Sequence, residues 1–154
     1  MKIYCLLITL LSGCHSMPNQ KQWQQERLGG FLLSLPSDAK INHAGLDSSY
    51  GVIKYRSKDL LKFQTGYFSE HIPSSSSGTI LERDSTDKFY RTLIKDSLSG
   101  RYSLTLFAID YSHSSDLFES GKLVRGLSLY TEDLSNKDEK MVLHIFNSVS
   151  MDHK

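Results

Sequence analysis

Apolar and polar residues alternate at period two through several stretches of the 154-residue chain. In Tyr50 to Arg56, Ile53 and Tyr55 share one face and Lys54 and Arg56 the other, the pattern of a half-buried strand. Leu60 to Phe68 continues it, with Leu61, Phe63, Thr65 and Tyr67 opposite Lys62 and Gln64. The intervening Ser57-Lys58-Asp59 is short enough to make these two strands a hairpin. Phe31 to Leu35 predicts another short strand, stopped by Pro36, which lacks the donor a ladder requires. Tyr102 to Tyr111 sets Tyr102, Leu104, Leu106 and Ala108 against Ser103, Thr105, Phe107 and Ile109; its doubly apolar second half predicts a central strand covered on both faces. Lys122 to Thr131 adds a strand through Leu123, Leu127 and Leu129.

Two other stretches carry helical spacing. Phe89, Tyr90, Leu93 and Ile94 follow the capping side chains of Asp84-Ser85-Thr86-Asp87 and precede Ser99-Gly100, which predicts a helix over Asp87 to Ser97. The β-competent residues in it leave a strand as the alternative. Near the carboxy end, Met141, Val142, Ile145, Phe146 and Val149 form one stripe behind the helix start of Ser135, Asn136, Asp138 and Glu139. A helix from about Lys137 to Ser150 follows. Together these elements predict an α+β fold, a single antiparallel β-sheet packed by helices.

The amino end follows neither period. Lys2 precedes an apolar run from Ile3 to Leu11 that is broken only by Tyr4 and Thr9. A membrane-spanning helix needs about 20 apolar residues, whereas the core of an export signal needs about 7–15. The run ends in Leu11-Ser12-Gly13-Cys14, which resembles the bacterial lipobox. That resemblance implies cleavage before Cys14, acylation of its thiol and amino group, and residues 1–13 as a signal peptide. Because one acyl chain holds only marginally, two or three make attachment effectively permanent. His15, not Asp, follows the cysteine, which by the same resemblance implies an outer-membrane protein facing the periplasm.

Residues 14–29 then read as the acylated cysteine and a polar tether, with Gln20, Gln22, Gln24 and Gln25 around Trp23. Fully extended it reaches roughly 50 Å at 3.3–3.6 Å per residue. Alternatively, Gln22 to Leu28 forms a helical turn or two that packs Trp23 on the domain. Residues 30–154 make one periplasmic domain.

Composition narrows the chemistry. Cys5 and Cys14 are the two cysteines; cleavage removes one and acylation consumes the other. No disulfide framework, thiolate nucleophile or cysteine metal site is then left. Loss of Lys2 leaves 17 basic against 17 acidic residues, so no basic face for nucleic acid is indicated. Phosphate-loop, dinucleotide and HExxH patterns are absent, and no cofactor or metal is implied.

Two polar segments are candidate partner-binding loops. One runs from His71 to Gly78 and includes Ser75 and Ser76; the other runs from Tyr111 to Ser120 and includes His113 and Asp116. Asp110 to Asp116 lacks the glycine turn and bidentate glutamate of a calcium loop. Local crowding of hydroxyls, acids and an imidazole also does not supply triad geometry. Enzymatic activity is not expected.

Phe31-Leu32-Leu33-Ser34-Leu35-Pro36 at the front and Val142-Leu143-His144-Ile145-Phe146-Asn147-Ser148-Val149 at the back are similar to the PsbP-like sandwich. A small neutral lipoprotein of that build resembles the immunity lipoproteins that neutralise toxic secreted effectors, including those of type VI-like systems. The resemblance implies a periplasmic protein partner whose active site is occluded. The alternative is a structural or assembly accessory of an envelope or secretion complex.

Overall fold

The computed structural model of the protein describes residues 22–44, 49–69, 78–98, 101–118, 121–132 and 134–152. Its first element is set by a pair of glycines. Gly29 and Gly30 have φ of 59° and 89°, the left-handed pair that a two-residue hairpin turn demands. They join β1 (Trp23–Leu28) to β2 (Phe31–Pro36), with Leu28 opposite Phe31 and Trp23 opposite Pro36. The stretch from Trp23 onward, expected as tether or helical turn, is therefore a strand. It lies at a sheet edge, where burying Leu28 and leaning Trp23 on the core is enough, so its glutamines remain compatible with strand.

Seven strands form the larger sheet: β3 (Lys40–Ala44), β4 (Tyr50–Tyr55), β5 (Lys58–Ser69), β6 (Thr79–Ser85), β7 (Phe89–Leu98), β8 (Arg101–Phe118) and β9 (Gly121–Tyr130). They are antiparallel in the order β3-β4-β5-β9-β8-β7-β6. After β9 come α1 (Asn136–Asn147) and β10 (Ser150–Met151), which joins β2 to complete a three-stranded sheet.

The expected α+β fold, a single antiparallel sheet packed by helices in a PsbP-like sandwich, is thus corrected. Among the described residues the protein is mostly β, with two antiparallel sheets and one helix. The decisive segment is Phe89–Leu98, expected as a helix and found as β7. Tyr90, Thr92, Leu93 and Ile94 are all buried, and Leu93 lies on one face while Tyr90, Thr92 and Ile94 lie on the other. A strand covered on both sides mimics helical spacing, and tertiary packing overrides the ambiguous local preference. The capping chemistry is also reassigned. Thr86 Oγ1 accepts the backbone N–H groups of Phe89 at 3.0 Å and Lys88 at 3.4 Å, closing the β6–β7 hairpin rather than starting a helix.

Hydrophobic packing unites the layers. Phe63, Leu129, Leu106 and Leu93 stand in register across β5, β9, β8 and β7. The same core cluster takes Leu28, Phe31, Leu33 and Leu35 from the small sheet and Met141, Val142, Ile145, Phe146 and Val149 from α1 and the residues behind it. Small sheet and helix therefore cover one face of the large sheet. On the opposite face Tyr90, Ile109 and Val124 form a second, smaller cluster with Tyr111 packed against it.

Candidate functional site

Of the expected partner-binding residues, His71, Ser75 and Ser76 lie outside the described residues, as does Cys14. Over its described residues, 111–118, the second expected loop is strand. Tyr111, His113 and Asp116 belong to β8, in which the ladder to β9 jumps from Asp110 opposite Arg125 to Ser114 opposite Val124. The residues between form a bulge, which absorbs a polar insertion without ending the strand. Tyr111 is half-buried against Tyr90, Ile109 and Val124, a packing role.

At that bulge Asp110 is fully buried. Its Oδ1 accepts the Ser112 backbone N–H at 2.9 Å and the Ser112 hydroxyl; its Oδ2 accepts Arg125 Nε–H at 3.0 Å and Nη2–H. The guanidinium of Arg125 in turn lies over Gly30, where a side-chain Cβ would sit 2.6 Å from its Cζ. The constellation locks the β1–β2 hairpin to β8 and β9. Among the described residues no buried side-chain nitrogen or oxygen lacks a hydrogen-bond partner, and these bonds tie the neighbouring strands together.

A second arginine organises the far edge. Arg91 Nη2 donates to Glu82 Oε1 at 2.6 Å, and its Nη1 donates to the Asn147 carbonyl at 3.1 Å, at the end of α1. Arg91 thereby fastens β6 to the core-facing helix. Thr92 Oγ1 adds a 3.4 Å bond to the Glu82 carbonyl. Just before this anchored residue, the register with β7 shifts between Ile80 and Glu82, leaving Leu81 as the extra residue of a bulge.

Ile80 and Leu81 are each 48 % exposed. β6 is the last strand of the large sheet, so its outer backbone N–H and C=O groups face away from the ladder. A held strand with two solvent-facing aliphatic side chains is chemically suited to receive an extended chain: backbone groups supply hydrogen bonds and the aliphatics supply apolar contact. Sequence reasoning passed over these residues because Thr79–Ser85 shows no sustained alternation. The available signal was the adjacent pair Ile80-Leu81 within a polar stretch.

Among the described residues no group of three or more His, Cys, Asp or Glu side chains is placed to hold a metal ion. No helix there is long and apolar enough to cross a membrane. Compared with known protein families and with curated proteins, the chain matches none.

Proposed function

We propose that this is a lipoprotein, anchored in the outer membrane through Cys14 and facing the periplasm, that binds another protein without acting on it. Its partner is a toxic effector, and the bound domain covers the effector's active site. With the PsbP-like architecture set aside, the binding reading is carried by one observation, the outward-facing β6 edge with Ile80 and Leu81 exposed on a strand fixed by Glu82 and Arg91. Such an edge fits strand addition by an extended effector segment. The bulge and the exposed Arg83 and Asp84 beside it restrict which segment can add.

A strain lacking the gene should lose viability when sister cells deliver the effector, and the intact gene should restore it. Restoration should fail with Ile80→Lys and Leu81→Lys combined, although the exposed positions leave circular dichroism unchanged. Unimpaired survival of the deletion strain under active delivery would overturn immunity. Full protection by the lysine variant would move the contact away from β6. Labelled palmitate should be incorporated by the intact protein and not by Cys14→Ser; persistent labelling would refute the anchor.

A further inference from the structure

The β4–β5 hairpin turns through Arg56 and Ser57, whose φ values are 48° and 63°. A two-residue turn of this hand ordinarily takes Asn-Gly, because in left-handed backbone Cβ crowds the following carbonyl oxygen, a cost that glycine avoids and asparagine offsets by local hydrogen bonding. Here the turn instead presents Arg56 and Ser57 to an open cavity of about 390 Å³, shared with Asp38, Lys40 and Lys54. Lys40 and Lys54 are direct cross-strand partners in the β3–β4 ladder. Like charges placed opposite one another are unfavourable in a sheet. Two disfavoured choices, in backbone and in charge, therefore converge on one groove.

Neutralisation within the groove is partial, with Asp38 and Asp59 set against Lys40, Lys54 and Arg56. Arg56 Nε stands 3.8 Å from Asp38 Oδ2 and Lys54 Nζ 3.5 Å from Asp59 Oδ1, and all four side chains are largely exposed. Exposed pairs at such separations are weak and screened by salt. Lys40 has no ion pair among the described residues. Lys58, paired with Tyr55, lies on the other face of the hairpin and takes no part in the groove. The Arg56 guanidinium lies 5.1 Å from the centroid of the Tyr55 ring, a cation–π contact that restrains the side chain.

The chain enters the fold beside the same groove. The Ser37 N–H donates to the Gln22 carbonyl at 2.9 Å, and Ser37 precedes Asp38 of the groove wall. Eight residues lie between Cys14 and Trp23. Extended, they allow a reach of at most about 30 Å, so a groove at the point of entry is confined close to whatever surface Cys14 occupies. Such confinement raises the effective concentration of headgroups, and modest intrinsic affinity becomes sufficient.

We propose that the groove of Lys40, Lys54 and Arg56 binds the phosphate of an anionic phospholipid headgroup, seating the domain on the bilayer that holds its anchor. The inference rests on the lipid anchor at Cys14. The ligand chemistry is a phosphate flanked by cations, and the lipid is its source because the tether delivers the groove to the membrane surface.

The test uses the acylated full chain in vesicles of phosphatidylcholine alone or with phosphatidylglycerol, reading amine-reactive labelling of Lys40 and Lys54 by mass spectrometry, with Lys137 as internal reference. Phosphatidylglycerol should lower labelling of both lysines by about 5-fold or more, from the attraction expected per basic residue at an anionic surface. High salt should reverse the effect. Arg56→Gln should weaken protection at Lys40 while leaving circular dichroism unchanged. Equal labelling on both vesicle types, with the protein still floating on each, would overturn headgroup binding and leave the anchor standing. Failure to float with phosphatidylcholine would overturn the anchor. Equal protection by inorganic phosphate on phosphatidylcholine vesicles would overturn the lipid as source.

Discussion

Asp110 shows what one side chain can decide. It is fully buried, and an ionised carboxylate out of water needs a counter-charge and donors for its remaining lone pairs. Arg125 supplies the charge and Ser112 the neutral donors. Arg125→Met should lower stability by about 3 kcal/mol, because removal of one partner strands the other in a poorly solvated site. Adding Asp110→Asn should restore part of the loss by removing the uncompensated charge. Urea unfolding of the single and double variants measures both; a loss below about 1 kcal/mol in the single variant would place the pair among weak surface contacts. The sequence showed Asp110 at the head of a polar run and suggested a loop. What it did not show was the partner, since Arg125 lies 15 residues away across a hairpin. A lone acid at the end of one apolar strand and a lone base inside the next were the visible signs.

Elements were legible where one face is buried and the other wet. Strands around Ile53, Tyr55, Leu61 and Phe63 appear where the alternation put them, and Met141, Val142, Ile145 and Phe146 are the buried stripe of α1. Legibility failed where that contrast vanishes. β7 buries both faces and so imitated a helix, whereas β1 is a polar edge and imitated a tether. Turn chemistry misled by one step: Ser57-Lys58-Asp59 was the expected connection, yet the turning residues are Arg56 and Ser57, neither of which announces positive φ. This strained turn makes a prediction at its own scale. Ser57→Gly should raise stability by about 0.5–1 kcal/mol, because left-handed backbone disfavours a side chain by roughly 1–2 kcal/mol and glycine's greater unfolded freedom returns part of it. A higher melting temperature is the measurement, and an unchanged or lower one would show that Ser57 is unstrained there.

For the molecule as a whole, the order of strands was beyond the reach of periodicity. β5 lies beside β9, and nothing in either local pattern selects a partner so far along the chain. The selection comes from the shared core: the larger of the two apolar clusters lies on one face of the large sheet, and α1 and the β1–β2 hairpin are the elements with apolar stripes to cover it. Because all three contribute to one cluster, none can leave without exposing the others, and unfolding should be a single cooperative transition. Trp23 is a natural reporter, being the one tryptophan of the chain. It packs against the core from the edge strand β1, with its ring centroid 4.0 Å from that of His144 on α1. Far-UV circular dichroism instead follows mainly the large sheet. In urea the two signals should therefore change with the same midpoint and slope. An earlier transition in tryptophan emission would mean that β1 detaches while the large sheet persists, so that the small sheet is a separately melting cover rather than part of the cooperative core.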